Sequence, residues 1–309
     1  MRIFVAGATG AVGRQLVPRL VAAGHRVVGM TRSEEKQAAL WEMGAEPAVA
    51  DALNPEQVAE AVAAAAPDVI VHELTAISTL DVRHFDRSFA ATNRLRTEGT
   101  DYLLSAGRAA GVQRFVAQSF AGWPQGRTGA SVKSEEEPLD SAQPREMRES
   151  WEAIRHLEAV VTGAEWTEGI VLRYGGLYGP GTSLTPGSEQ FEMVRKRKFP
   201  VVGNGGGIWS FVHVADAAEA TVAAIERGRR GVYNVVDNEP APVSEWLPGL
   251  AAAIGAPKPR RVPRWVGRLA VGEAGVAMMT EIRGVSNAKA KRELGWEPHH
   301  GSWRQGFAA

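Results

Sequence analysis

Cysteine is missing altogether from the 309 residues. That absence excludes disulfides, thiolate metal sites and a cysteine nucleophile, and it fits a reducing compartment. Net charge is missing too: Lys plus Arg total 35 and Asp plus Glu total 35, so no long-range field draws the chain to nucleic acid or anionic lipid. Long apolar runs are also lacking. AVAAAA (residues 61–66) stops at Pro67, and GRLAVGEAGVAMM (residues 267–279) is broken by Arg268 and Glu273, short of the roughly 20 residues a membrane span needs. The opening MRIFVAGATG carries no long apolar core or small-residue cleavage site of a signal peptide, and reads as a first strand. The chain is therefore expected to be cytoplasmic, without nucleic-acid or membrane partners, and to act on a small molecule as a monomer or homodimer.

What is present is enough apolar material, 44% of the residues, to bury a large core. Short β-type runs (RIFVAG, HRVVGM, AEPAVA, PDVIVH, VQRFVAQ and GIVLRY) are mostly separated by stretches of helical spacing such as residues 11–23 and 56–66. That alternation predicts βαβ units and an α/β fold with a parallel sheet. After Tyr174 the rhythm changes to a Gly/Pro-rich loop (GGLYGPGTSLTPGS), a basic helix end (RKRKF), a GNGGG turn and the strand-helix pair IWSFVHVADAAEATVAAIER. GVYNVVDNE then reads as a return to the main sheet. No internal repeat or low-complexity tract interrupts the pattern.

GATGAVG follows the first strand directly and opens the first helix, with Gly7, Gly10 and Gly13 at the turn. Glycine there lets backbone approach a pyrophosphate, whose charge is met by the free N–H groups and the helix dipole. Strand before and helix after supply the context this motif needs, so Thr9, Ala11 and Val12 join the glycines as cofactor-binding residues of a Rossmann-type doubly wound sheet. At the end of the second strand, where an NAD site would carry an acid for the ribose 2′-hydroxyl, stand Thr31, Arg32 and Ser33. A guanidinium beside two hydroxyls suits a 2′-phosphate, which favours NADP, with NAD as the alternative. Ser33 also reads as a helix N-cap, with Arg32 then a solvated neighbour. The expected division is residues 1–174 as the dinucleotide-binding domain, with 208–236 returning to it. Residues 175–207 and 237–309 form a smaller, sequence-interleaved substrate lobe.

These features together resemble the extended short-chain dehydrogenase/reductases of the NAD-dependent epimerase/dehydratase type. The glycine motif is similar to that family's, and so are Asp51, Ala52 and Leu53 after the third strand, where the family contacts adenine. Leu74, Thr75 and Ala76 in VHELTA, the helix led by Asn93 in TNRLRTEGTDYLLSAGRAAGVQRFVAQS, and Gly175, Gly176 and Leu177 in LRYGGLYGPG extend the likeness. FVHVADAAEA, GVYNVVD and AKAKRELGWEP carry it nearly to the end. The resemblance implies cofactor contacts at each of these positions.

It also implies a Ser or Thr after the fifth strand and a Tyr-x-x-x-Lys on the next helix, in which tyrosine exchanges a proton and lysine lowers its pKa. The corresponding stretch, MRESWEAIRHLEAVV, has neither residue. Alignment on Glu158 puts Ser150 and Ile154 at the two positions, and alignment one residue later puts Trp151 and Arg155 there. Ser119 stands one residue before the usual hydroxyl position, which Phe120 occupies. The substitutes singled out are Ser119, Tyr174 and Arg155, although the helix also reads as simply packing through Met147, Trp151, Ile154, Leu157 and Val161. Tyr178 is a lesser proton-donor candidate. Glu73 is expected to be exposed beyond its strand, and burial would raise its pKa. His213 is expected to be structural, with no metal site, because no second ligand stands at metal spacing nearby and His299 and His300 come late. The RKRK run at residues 195–198 reads as solvated. The resemblance implies Arg-Asp before FVH in members that act on nucleotide sugars; Trp209 and Ser210 stand there instead and, with Trp123 and Trp151, point to a more apolar or aromatic, non-nucleotide substrate pocket. Two functions remain open: an NADP-dependent oxidoreductase or epimerase/dehydratase-like enzyme, and a dinucleotide-binding protein without redox chemistry.

Overall fold

Strands buried on both faces read as apolar runs, as RIFVA and VIVH do in this chain. In the computed structural model, which describes residues 1–77 and 81–307, seven strands form one parallel sheet. They are β1 (Arg2–Ala6), β2 (Arg26–Thr31), β3 (Glu46–Val49), β4 (Val69–His72), β5 (Arg114–Phe120), β6 (Glu168–Tyr174) and β7 (Gly231–Val235), in the order β7-β6-β5-β4-β1-β2-β3. The central strand β1 pairs Ile3 with Val27 on one side and with Val69 on the other. Chain order runs outward from β1 in both directions, so a crevice opens beyond the carboxyl end of β1.

Twelve helices are described: α1 (Ala11–Ala22), α2 (Gln37–Glu42), α3 (Pro55–Ala65), α4 (Phe85–Arg94), α5 (Thr100–Ala110), α6 (Arg148–Thr162), α7 (Glu189–Arg195), α8 (Val214–Arg227), α9 (Val243–Ala253), α10 (Arg264–Thr280), α11 (Ala288–Leu294) and α12 (Trp303–Gly306). Helix α3 starts where Asn54 accepts from the Gln57 N–H at 3.0 Å and Pro55 fills the first turn, and it stops at Ala66 in a left-handed conformation. Leu16, Val17 and Leu20 of α1 and the alanine face of α8 cover one side of the sheet. Val58 and Val62 of α3, Leu103 of α5, and Leu157 and Val161 of α6 cover the other. Helix α4 passes into α5 through a π-turn, Leu95–Gly99.

A second core gathers Phe211, Trp246, Leu247, Val276, Met279 and Trp303. Residues 208–236 contribute to both cores. Ile208–Trp209 pairs with Ala241–Pro242, and Phe211–His213 pairs with Gly176–Tyr178. Val212, α8 and β7 from that stretch join the core of the central sheet, and β7 pairs with β6.

Candidate functional site

The crevice beyond β1 is shaped by glycine. Gly7 has φ +94°, and a Cβ there would lie 2.7 Å from the Glu73 carbonyl carbon. A Cβ on Gly13 would lie 2.4 Å from the Gly7 oxygen, so both positions need glycine for the turn and for close helix–strand packing. Gly10 is exposed and begins α1 with no side-chain cap. The first N–H groups of α1 are thus left for an external anion, and the chain fits a dinucleotide's pyrophosphate here. Thr9 and Ala11 are half-buried around this mouth, Val12 is buried, and Arg14 Nε donates to the Thr9 carbonyl at 3.0 Å.

The other expected cofactor residues follow neighbouring strands along the same sheet edge. After β2, the Thr31 hydroxyl accepts from the Ser33 N–H at 3.3 Å, Arg32 is exposed, and Ser33 makes no cap with its side chain. After β3, Asp51 folds its carboxylate onto the Leu53 N–H at 3.0 Å, over buried Ala52. After β4, the Leu74 N–H donates to His72, the Ala76 N–H donates to Thr92, and Thr75 is exposed. After β6, Gly175 and Gly176 are held by the Val235 and Ser210 carbonyls, and Leu177 is half-buried. A Cβ on Gly181 would lie 3.8 Å from Ala11 Cβ, so this loop reaches the mouth of α1.

The three expected catalytic residues are not brought together. The Ser119 hydroxyl donates to Glu158 Oε1 at 2.7 Å, and Arg173 grips the same carboxylate bidentately at 2.8 and 2.6 Å. Alternation along β5 points Ser119 at α6 instead of over the sheet edge. The Tyr174 hydroxyl donates to Glu73 Oε1 at 2.8 Å and lies 2.5 Å from the Thr221 hydroxyl, under the α8 face. Burial holds the Tyr174 phenol well above its ordinary range. Arg155 is exposed and stacks over the Trp151 ring at 5.4 Å.

Glu73 corrects the expectation of exposure: it is 4% exposed, and burial, opposed by the Tyr174 hydrogen bond, pushes its carboxyl up to about 8. The strand-like path continues past His72, with the Glu73 N–H on the Ala6 carbonyl, and this turns the side chain inward.

The two dyad positions of the Glu158 alignment are equally committed. Ser150 Oγ donates to Asp86 at 2.6 Å and accepts from Asn93 Nδ2 at 3.0 Å, while the N–H groups of Glu149 and Ser150 also donate to Asp86. This carboxylate therefore caps α6. Ile154 is buried among Phe85, Trp123, Met147, Ala274 and Ile282. Phe85 meets Trp123 edge-on at 5.3 Å. Beside this cluster lies a small apolar cavity lined by Phe120, Trp123, Trp209, Met278 and Ile282. The helix stripe expected from the sequence is buried at Met147, Ile154, Leu157 and Val161, with Trp151 half-buried.

Two arrangements were invisible in the sequence. The first corrects the reading of His213 as lacking neighbours of ligand type, since His300 stacks on it at 3.8 Å and Asp216 adjoins both. One donor atom from each of the three residues lies within 4.8 Å of the others. Asp216 is already engaged by the N–H groups of His299 and His300, and His213 Nδ1 accepts from the Ala215 N–H at the start of α8. These contacts make the trio a clasp between α8 and the loop before α12. Burial and the adjacent His300 hold His213 below its usual range. The second arrangement is the burial of Arg96 in the π-turn, 5% exposed. Tyr178, by contrast, is buried against His213 and Phe307 as a packing residue, and the RKRK run lies at the exposed end of α7, with Arg195 and Lys196 paired to Glu192.

Known proteins share this architecture. The chain is 43% identical over 315 residues, 99% of both chains, to a 3-diazoavenalumate denitrifying reductase from a Streptomyces species. Among solved structures it is similar to the UDP-glucose 4-epimerase of Thermotoga maritima with UDP-glucose (TM-score 0.79, 21% identity, covering 100% of this chain and 96% of that one). The UDP-glucose 4-epimerase of Thermus thermophilus in complex with NAD is also similar (TM-score 0.75, 24% identity, covering 100% and 97%). Residues 3–236 match the NAD dependent epimerase/dehydratase family. With that match and a 43% identical relative along its whole length, the chain belongs to the NAD dependent epimerase/dehydratase family and is an NAD(P)-dependent enzyme.

Proposed function

We propose that this enzyme is an NADPH-dependent reductase of aromatic small molecules, and that its acceptor is an arenediazonium or diazo-arene, which needs no proton from the protein. The observation that carries this reading is the occupation of the two dyad positions by a fully engaged Ser150 and an apolar Ile154 beside an aromatic cavity. Reduction of a ketone leaves an alkoxide that must be protonated, and a positioned acid is worth roughly 10²–10⁴ in rate for that step. NAD(P)H, held at the mouth of α1, would supply a hydride. An arenediazonium that takes up hydride becomes the arene and releases dinitrogen, so charge and atoms balance without an acid. Phe120, Trp123 and Trp209 give this small cavity flat aromatic walls, which suit an aromatic substrate. The name of the 43% identical relative, with its diazo substrate and denitrifying reaction, supports the same chemistry. The assay follows NADPH oxidation with an arenediazonium salt and with the matching aryl methyl ketone, each corrected for the rate without protein. Turnover of the diazonium should exceed that of the ketone by roughly 10² or more; a faster ketone would overturn the assignment.

Arg32 carries the preference for NADPH in this reading. Its exposed guanidinium stands at the end of β2, with no acidic residue at Thr31, Arg32 or Ser33 to meet a ribose 2′-hydroxyl. A charge-assisted contact to the 2′-phosphate is worth roughly 1.5–3 kcal/mol, about one to two decades in Kd. Titrations followed by cofactor fluorescence should show NADPH binding more tightly than NADH, and Arg32→Ala should weaken NADPH alone. Equal weakening of both cofactors would remove Arg32 from the phosphate site.

A further inference from the structure

Next to the aromatic cluster lies one charged group that the fold leaves unanswered. Arg96 is buried in the π-turn, and its Nη1 is enclosed without a hydrogen-bond partner among the described residues. Among the described residues no ion pair engages its guanidinium. The carboxylate that acts on it electrostatically is Glu158, whose oxygens are already taken by Arg173 and Ser119. Burial lowers the Arg96 pKa to about 10, which leaves the side chain charged at neutral pH. A desolvated, uncompensated cation is among the most costly features a fold can retain, and π-turns recur at functional sites.

Two further buried polar atoms on the adjoining elements have no partner among the described residues: Asn93 Oδ1, one turn before Arg96, and Trp151 Nε1 on α6. An aromatic run continues from this polar set toward the cavity. The Arg96 guanidinium lies 6.0 Å from the Phe89 ring, Phe89 stacks on Phe85 at 4.5 Å, and Phe85 meets the cavity-lining Trp123. Arg96 thus places a buried cation at one end of a run of packed aromatic rings whose last member, Trp123, lines the cavity. A carboxylate would answer the charge of the guanidinium, which a neutral amide cannot do.

We propose that Arg96 is the recognition residue for a carboxylate on the substrate, which makes the substrate class an aromatic acid. This rests on the reading of the cavity as a site for aromatic substrates, yet it is tested by binding alone and does not depend on hydride transfer. The probes are cinnamate and cinnamamide, titrated into protein saturated with NADP⁺ and followed by quenching of tryptophan fluorescence. Cinnamate should bind at least about 10-fold more tightly than cinnamamide. Arg96→Met should abolish that preference, leave NADPH affinity within about 2-fold, and keep or raise the melting temperature of the unliganded protein, because a binding residue is retained at a cost in stability. Arg96→Lys, which keeps the charge, should retain part of the preference. Equal binding of acid and amide by the unmodified protein would overturn the proposal without any variant. So would an Arg96→Met protein that loses NADPH affinity, or that melts lower and still prefers the acid. A carboxylate preference that stands while the diazonium assay fails would leave Arg96 in place and remove only the hydride acceptor.

Discussion

Glu158→Ala should melt roughly 5–8 °C below the unmodified protein, the largest loss expected from any single change near the site. Glu158 is the shared acceptor for Arg173 and Ser119, and the side chains of the ion pair are 5% and 9% exposed. Removing it leaves a buried guanidinium whose Nη1 is already unpartnered, together with a buried hydroxyl. Breaking such a pair from one side costs about 3–5 kcal/mol, and each kcal/mol is worth roughly 1.5 °C in a protein of this size. The double variant Glu158→Leu with Arg173→Met should recover most of the loss, since no lone charge remains. Ser119→Ala should cost only about 1 kcal/mol, the value of one hydrogen bond, and should keep turnover within about 2-fold. Thermal melts of the four proteins check the order. A Ser119→Ala protein that folds normally yet has lost its activity would return Ser119 to the chemistry.

Glu73→Gln should stabilise the protein, and the gain should grow with pH. The folded-state pKa of Glu73, about 8, lies above its ordinary 4.5 because burial penalises the charged form. Below about pH 4.5 both folded and unfolded chains are protonated, and the contribution of the group is fully favourable. Between there and about pH 8 only the unfolded chain ionises, so stability falls as pH rises, and it levels off above. At about 1.4 kcal/mol per unit, the span amounts to roughly 4–5 kcal/mol. Glutamine keeps an acceptor for the Tyr174 hydroxyl and cannot ionise. Urea midpoints of the two proteins should nearly coincide at pH 5 and separate by pH 8. A constant separation at both pH values would mean that Glu73 does not titrate in this range.

The sheet was legible because a parallel strand covered on both faces has no polar alternation to disguise it, as RIFVAG and PDVIVH show. The glycine turn was legible for a local reason also, since its constraints lie within residues 7–13 and in the strand just before them. What escaped depends on contacts between distant parts of the chain. The inward turn of Glu73 is fixed by Tyr174, 101 positions away. His300 reaches Asp216 across 84 positions, a separation at which ligand spacing carries no signal. Arg96 escaped for another reason: the π-turn shifts the helical register, so a charged residue in an apparently regular helix faces inward. The engagement of Ser119 was within reach, because strand alternation sets it opposite Phe120, on the α6 side that holds Glu158.

The central claim is that hydride is delivered to an acceptor that requires no acid from the protein, and isotope transfer tests it most directly. NADPH deuterated at both C4 positions is turned over with an arenediazonium carboxylate, and the product is examined by mass spectrometry and by NMR. The account predicts one deuterium in the arene, on the carbon that carried nitrogen, with one dinitrogen released for each NADPH oxidised. An arene without deuterium, or NADPH consumed without release of dinitrogen, would contradict it.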